Sequence, residues 1–286
     1  LTRYVTEQVV DLIIDKPESI NLEGEEREST ILFADIRGFT TISESMDPKE
    51  LVLMLRDYFN LMVGAVFKYE GTLDKFIGDC IMALFGAPVS NENHADQAVR
   101  AALEMRTLLG QFNEIRIKKS QTPIEIGIGI ATGKVIVGNI GSHERFEYTA
   151  IGDTVNLASR MEGINKAYKT KILVSDSSHK LLSDNILVRE IDFLKVKGKN
   201  KPVTIFEVID LKDNVAPEML KAVHKHQEAL EYYKAKQWDD ALALFKNFLK
   251  DNPFDEVWHI YQNRCELFKL YPPTNEWDRV WEIDYK

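Results

Sequence analysis

Residues 71–85 read GTLDKFIGDCIMALF, and the organisation of the chain turns on them. Thr72, Leu73 and Phe76, then Ile81, Met82, Leu84 and Phe85, form two short apolar runs separated by Gly78-Asp79. This is the pattern of a β-hairpin with a tight turn. It sets Lys75 and Asp79 on either side of a bend too tight to bury charge without cause. Taken alone, an acid after a glycine is a turn former and a lysine near a strand end is a solvated edge. The neighbouring stretches decide whether the pair carries chemistry.

Upstream, residues 29–35, STILFAD, are a nearly continuous apolar run of strand length that ends in a carboxylate and so delivers Asp35 to a strand rim. Gly38 follows between polar residues, where backbone N–H groups can cradle an anion at the start of a helix. Leu51, Leu55, Tyr58, Phe59, Met62 and Val66 mark a long amphipathic helix, with Asp47 as N-cap and Pro48 in its first turn. Downstream, a helix over 93–112 precedes a predicted second hairpin, 124–131 and 134–140, turned at Thr132-Gly133. Residues 148–163 run extended and then helical, with Asp153 or Thr154 capping, and set Asn156 and Arg160 on one helix face. A strand at 171–174, a helix at 176–182 and strands at 187–194 and 203–209 complete the region. This order predicts an α+β fold with a ferredoxin-like core, an antiparallel-rich sheet with helices on one face, followed by a small α-helical tail.

The 286 residues are 44% hydrophobic, enough for a large domain and a smaller one. A formal net charge of −9 argues against a nucleic-acid partner, because counterion release needs clustered Lys and Arg. The basic run 195–201 is a local exception. No window reaches the length of a membrane-spanning helix, and the first residues carry no secretory pattern. Cys80 and Cys265 form neither a metal motif nor a disulfide framework, as a reducing, cytoplasmic setting would have it. A first residue that is Leu suggests a piece of a longer chain.

Five stretches, FADIRGFTTIS, GTLDKFIGDCIMALFG, TGKVIVGNIG, YTAIGDTVNLASRME and LKVKGKNKPVTIFEV, occur in this order. Together they resemble the catalytic domain of the class III nucleotidyl cyclases over about residues 29–211. The resemblance implies that Asp35 and Asp79 bind two magnesium or manganese ions, with the backbone of Ile36 near a metal. Arg37, Gly38, Phe39 and Thr40 would hold the β- and γ-phosphates. Lys75 would select ATP, since adenine N1 accepts and guanine N1 donates. Guanylyl cyclases of the family carry an acid there. Thr149 would face the exocyclic amine; many members have Asp, and the Thr form resembles the subgroup with the bicarbonate-responsive adenylyl cyclases. Asn156 would orient the ribose, Arg160 stabilise charge on the α-phosphate, and Lys197 grip the terminal phosphates. Because the family shares each site between two domains, a head-to-tail homodimer is implied, with a regulatory domain upstream. The alternatives are a guanylyl cyclase, or a catalytically silent nucleotide-sensing dimerisation module.

Three segments follow. Residues 1–28 are read as a helix at 5–14 that transmits a signal or contacts a dimer partner, then an acidic solvated linker at 23–28. Residues 29–211 are the catalytic domain. Residues 215–286 resemble a single tetratricopeptide repeat with a capping helix at 254–270, and Trp277 and Trp281 mark a segment that docks. One repeat cannot bury its own apolar face.

Overall fold

The computed structural model describes residues 24–142, 146–195 and 201–282. The predicted helix at 5–14 and Lys197 with its basic turn lie outside them. The chain divides into two compact units, one of residues 1–162 and 177–182, the other of 163–176 and 183–286. The tail helices therefore group with the strands that precede them.

The first unit opens with β1 (Glu25–Ile36), followed by α1 (Phe39–Ser45) and α2 (Pro48–Lys68). Then come β2 (Thr72–Ile77), β3 (Cys80–Phe85), α3 (His94–Lys118), β4 (Ile126–Gly141), β5 (Phe146–Ile151) and α4 (Asp153–Tyr168), the dividing line falling within α4. Its strands run antiparallel in the order β2-β3-β1-β4, with β5 on β4. That is the ferredoxin-like order that the strand and helix succession predicts. Asp47 caps α2 by accepting from the N–H groups of Lys49 and Glu50.

Three expectations change. Residues 25–28 are strand and not linker: they pair with 134–137 of β4, and Glu26 meets Lys134 at 2.6 Å, so a polar strand end is held by its ladder. Thr132-Gly133 does not turn; β4 runs through it for 16 residues, with Ser29 opposite Gly133. Gly133 instead provides space, as a Cβ there would stand 2.7 Å from Thr154 Oγ1. The hairpin partner of β4 is β5.

Helices also flank both faces. The Thr30 hydroxyl lies 2.7 Å from Thr132 Oγ1 and 2.7 Å from His94 Nδ1, so α3 covers the face of Thr30, Ile128 and Ile130. Alternation puts Gly127 and Gly129 on the other face. There α4 comes so close that a Cβ on Gly129 would sit 2.1 Å from Glu162 N.

The second unit contains β6 (Ile172–Ser175), β7 (Ile186–Lys195) and β8 (Val203–Leu211) in antiparallel order β6-β8-β7. The short α5 (Asp176–His179) falls almost wholly in the first unit; helices α6 (Pro217–Lys234), α7 (Trp238–Asp251) and α8 (Glu256–Leu270) follow β8, and β9 (Trp281–Glu282) lies parallel to β7. The tail helices bury their apolar faces together around Trp258, Phe245 and Tyr261 and fasten to β7 by polar contacts. Tyr261 donates its hydroxyl to Ile191 O at 2.8 Å, and Arg264 pairs with Asp192 at 2.6 Å. Trp281 lies 3.8 Å over the Arg264 guanidinium and Trp277 packs on Tyr233, Trp238 and Phe268, the docking expected of this segment. No helix among the described residues is long and apolar enough to cross a membrane.

Candidate active site

The β2–β3 hairpin carries Asp79 to the end of β1. Ala34 lies opposite Ile81, so two residues later β1 reaches the turn, and Ile36 donates its N–H to Asp79 Oδ2 at 3.2 Å. Asp35 sits close enough to Asp79 to feel its charge. Burial, then a hydrogen bond with Asp79 and repulsion from it, then Glu162, push the Asp35 carboxyl up to about 7, against the pull of Arg37. Two hard carboxylates driven together at a strand end are a donor set that a divalent cation relieves, and magnesium uses only one or two protein carboxylates. The residues fit such an ion. Among the described residues no cluster of three or more His, Cys, Asp or Glu forms a larger metal site.

Behind this pair stands a clamp that the sequence reading missed. Arg37 Nη1 lies 2.8 Å from Glu162 Oε1, and Nη2 donates to Glu162 O at 3.0 Å. Gly127 makes room, since a Cβ there would fall 1.6 Å from Arg37 Nη2. The Arg37 N–H donates to Glu125 O at 2.7 Å. The guanidinium is thus committed to α4, and what the 37–40 turn offers an anion is backbone. Gly38 turns the chain there with φ of 65°, a left-handed geometry that suits glycine, directly before Phe39 and Thr40.

Lys75 and Thr149 are brought together, and Asp74 joins them. The ladder slips between Leu73 and Lys75, leaving Asp74 as the extra residue of a β-bulge. In a regular strand, adjacent side chains point to opposite faces; the bulge re-aims one so that both Asp74 and Lys75 reach β5. Thr149 donates its hydroxyl to Asp74 Oδ2 at 2.6 Å, and the Ala150 N–H donates to the same oxygen at 3.3 Å. Lys75 Nζ lies 3.4 Å from Asp74 Oδ1 and donates to Glu147 Oε2 at 2.8 Å. Burial raises the Asp74 carboxyl, while Thr149, Lys75 and Ala150 each pull it back. The only sequence signal for Asp74 was an acid beside the lysine.

On α4, Asn156 is exposed and Arg160 partly so, one turn apart. Arg160 Nη1 is buried with no hydrogen-bond partner among the described residues, a donor that an anion would satisfy.

The structure thus sets a carboxylate pair with a backbone turn at one strand end, and a lysine and a threonine that meet on Asp74 at the β2 bulge. The sequence profile of the adenylate and guanylate cyclase catalytic domain matches residues 23–208, and the chain belongs to that family. It is 38% identical over 206 residues to Adenylate cyclase 1 of Rhizobium meliloti (strain 1021), covering 72% of this chain and 31% of that protein. It is 40% identical over 217 residues to Adenylate cyclase of Anabaena cylindrica, covering 72% of this chain and 42% of that one. The chain thus spans less than half the length of these curated relatives. Among solved structures, the adenylyl cyclase CyaB from P. aeruginosa superposes with a TM-score of 0.64 at 38% identity, over 68% of this chain and 100% of that one. The guanylyl cyclase Cya2 gives 0.60, also at 38% identity, over 67% and 96%. The curated relatives are thus adenylate cyclases, while the two solved structures are an adenylyl and a guanylyl cyclase at the same identity.

Proposed function

We propose that this domain is an adenylyl cyclase that converts ATP into 3',5'-cyclic AMP and pyrophosphate. The observation that carries the reading is the convergence of Lys75 and Thr149 on Asp74 at the β2 bulge. An ammonium donates to adenine N1, where guanine presents a donor of its own, and a hydroxyl oxygen accepts from the adenine amino group. The structural likeness to Cya2 favours GTP as the second reading, and Lys75 opposes it.

In this reading the ribose 3'-oxygen bonds to the α-phosphorus in line, the bond to the pyrophosphate oxygen breaks, and the hydroxyl proton leaves to solvent. Asp35 and Asp79, with the Ile36 backbone, would hold two magnesium or manganese ions, which would supply a lower pKa for the hydroxyl and neutralise the phosphates. The backbone of Arg37, Gly38, Phe39 and Thr40 cradles the β- and γ-phosphates while the Arg37 side chain stays on Glu162. Asn156 orients the ribose. Arg160 turns its unpaired nitrogen to the charge growing on the α-phosphate, and Lys197 grips the terminal phosphates. The work of these residues is positioning and charge neutralisation.

The site is shared. Carboxylates from one copy face Lys75, Thr149, Asn156, Arg160 and Lys197 of a second, in a head-to-tail homodimer with two equivalent sites. Thr149 supports a place in the subgroup that includes the bicarbonate-responsive enzymes, and a fixed-pH assay without response to bicarbonate would remove that reading. The three helices of the tail fit a single tetratricopeptide-like repeat with its cap, the absence of a spanning helix among the described residues fits action in the cytoplasm, and the greater length of the relatives leaves room for a regulatory domain.

The test is incubation of the purified protein with ATP or with GTP in the presence of manganese, followed by product identification. Cyclic AMP from ATP is the expected result. Cyclic GMP as the main product, or no cyclic nucleotide, would overturn the reading.

A further inference from the structure

We infer that Asp74 is the residue that sets the base preference of this site, by dictating which way the Thr149 hydroxyl points. The inference rests on the adenylyl cyclase reading and adds a positioning residue to it. A threonine hydroxyl is ambivalent: it has one proton to donate and lone pairs that accept. Left free, it serves an adenine amino group or a guanine carbonyl equally well, and a Thr at this position discriminates nothing.

Asp74 removes the ambiguity. Its side chain is fully buried, and Thr149, itself 7% exposed, donates to Oδ2 at 2.6 Å. The Ala150 N–H and the Lys75 ammonium converge on the same carboxylate from 3.3 and 3.4 Å, the surroundings of an ionised, acceptor-only group. With its only proton spent on Asp74, Thr149 presents lone pairs alone to a ligand. An amino group is welcome there, whereas a carbonyl oxygen meets lone pair against lone pair.

The same carboxylate steers the lysine. Lys75 gives one N–H to Glu147 at 2.8 Å and lies in ion-pair contact with Asp74, so its remaining donor capacity is directed rather than free to rotate. One buried acid therefore imposes the polarity donor-at-N1, acceptor-at-N6, which is adenine's complement. The bulge makes this possible, because without the slip between Leu73 and Lys75 the two adjacent side chains would diverge to opposite faces. Asp74 touches no nucleotide atom in this scheme; it acts through Thr149 and Lys75.

The experiment compares ATP and GTP in the wild type and in Asp74→Asn, by kcat and KM and by titration with non-cyclisable analogues of both nucleotides. An asparagine amide can donate to Thr149 and return the hydroxyl proton to the ligand side. The expected result is a fall of about tenfold or more in the ATP-to-GTP ratio of kcat/KM. It should be carried mainly by a higher KM for ATP and a lower one for GTP, with a matching change in analogue affinities. A variant that keeps the wild-type ratio, or loses both substrates equally through kcat, overturns the role of Asp74 while leaving the adenylyl cyclase reading intact. A wild type that prefers GTP, or whose titration shows no preference for the ATP analogue, overturns both. Should Asp74→Asn lack a cooperative melt, Asp74→Ser, whose hydroxyl can donate to Thr149, is measured in the same way with the same expectations.

Discussion

Ile36 donates its backbone N–H to Asp79 Oδ2 at 3.2 Å, fastening the last residue of β1 to the turn between β2 and β3. The bond needs an oxygen acceptor and nothing more, whereas a cation at the same place needs the charge. Asp79→Asn keeps an acceptor oxygen and relieves the repulsion that raises Asp35. Its unfolding free energy should stay within about 1 kcal/mol of wild type in urea denaturation. ATP cyclisation should fall by about a hundredfold or more, as when one electrostatic partner of a developing charge is lost. Retention of a tenth of the activity would show that the charge is not used.

A shared site makes two dead chains complementary. Asp79→Ala spoils the carboxylate half and Lys75→Ala the base-reading half. In an equimolar mixture half of the dimers are mixed, each with one site free of both changes. The mixture should recover about a quarter of the wild-type specific activity, while each variant alone stays inactive. Absence of recovery, with mixed dimers demonstrated by differential tagging, would count against sites built from two chains.

The contact between α4 and β4 depends on a missing side chain. A Cβ on Gly129 would stand 2.1 Å from Glu162 N and 2.3 Å from Ala158 O, and helix backbone cannot step aside as a flexible side chain does. Gly129→Ala should cost about 3 kcal/mol in chemical denaturation. Gly110 is the control: it lies exposed inside α3 with nothing within 4 Å of its Cβ position. Gly110→Ala should stabilise by about 0.5–1 kcal/mol through reduced chain entropy. Equal effects at the two positions would remove the packing argument.

His226 makes the second unit sensitive to acid. The Trp258 indole can only donate, and it does so to His226 Nδ1 at 3.0 Å; Nε2 must therefore carry the proton it gives to Glu190 O at 2.6 Å. Both ring nitrogens are satisfied in the neutral form alone. Burial first, then the nearby Arg189 and Lys234 charges, hold its pKa down at about 3, against 6.5 ordinarily. Between those values the unfolded chain binds a proton that the folded chain refuses. Its contribution is complete above pH 6.5 and drains away as the pH falls towards 3, amounting to about 2 kcal/mol lost at pH 5. Urea denaturation at pH 7 and pH 5, followed by tryptophan fluorescence, should show this loss, and His226→Asn should flatten it. An unchanged slope in the variant would assign the acid sensitivity elsewhere.

Legibility from sequence followed the range of the interaction. Asp35 and Asp79 could be read because each stands at the end of an apolar run, and a strand end is a local pattern. The hairpin at 71–85 was legible for the same reason, with Gly78 at φ of 65° providing its turn. Thr132-Gly133 misled because a glycine that turns the chain and one that admits a neighbouring helix look alike until the helix is in place. Residues 25–28 read as linker because polar composition cannot reveal a ladder partner more than a hundred residues away. Asp74 and Glu162 were passed over because their partners, Thr149 and Arg37, are also remote in the chain, 75 and 125 residues away.

The residue order alone carried the α+β class and the cyclase family, and it pointed to the two acids, lysine, threonine, asparagine and arginine proposed for the site. Those conclusions rest on side-chain chemistry and short-range periodicity, which the linear chain carries in full. Tertiary structure decided the convergence of Thr149 and Lys75 on Asp74, the commitment of Arg37 to α4, the unbroken course of β4 and the helices on both faces of the sheet. Each of these depends on which distant backbone supplies a hydrogen bond or leaves room for a contact, and only the packed chain brings such groups within 3 Å of one another.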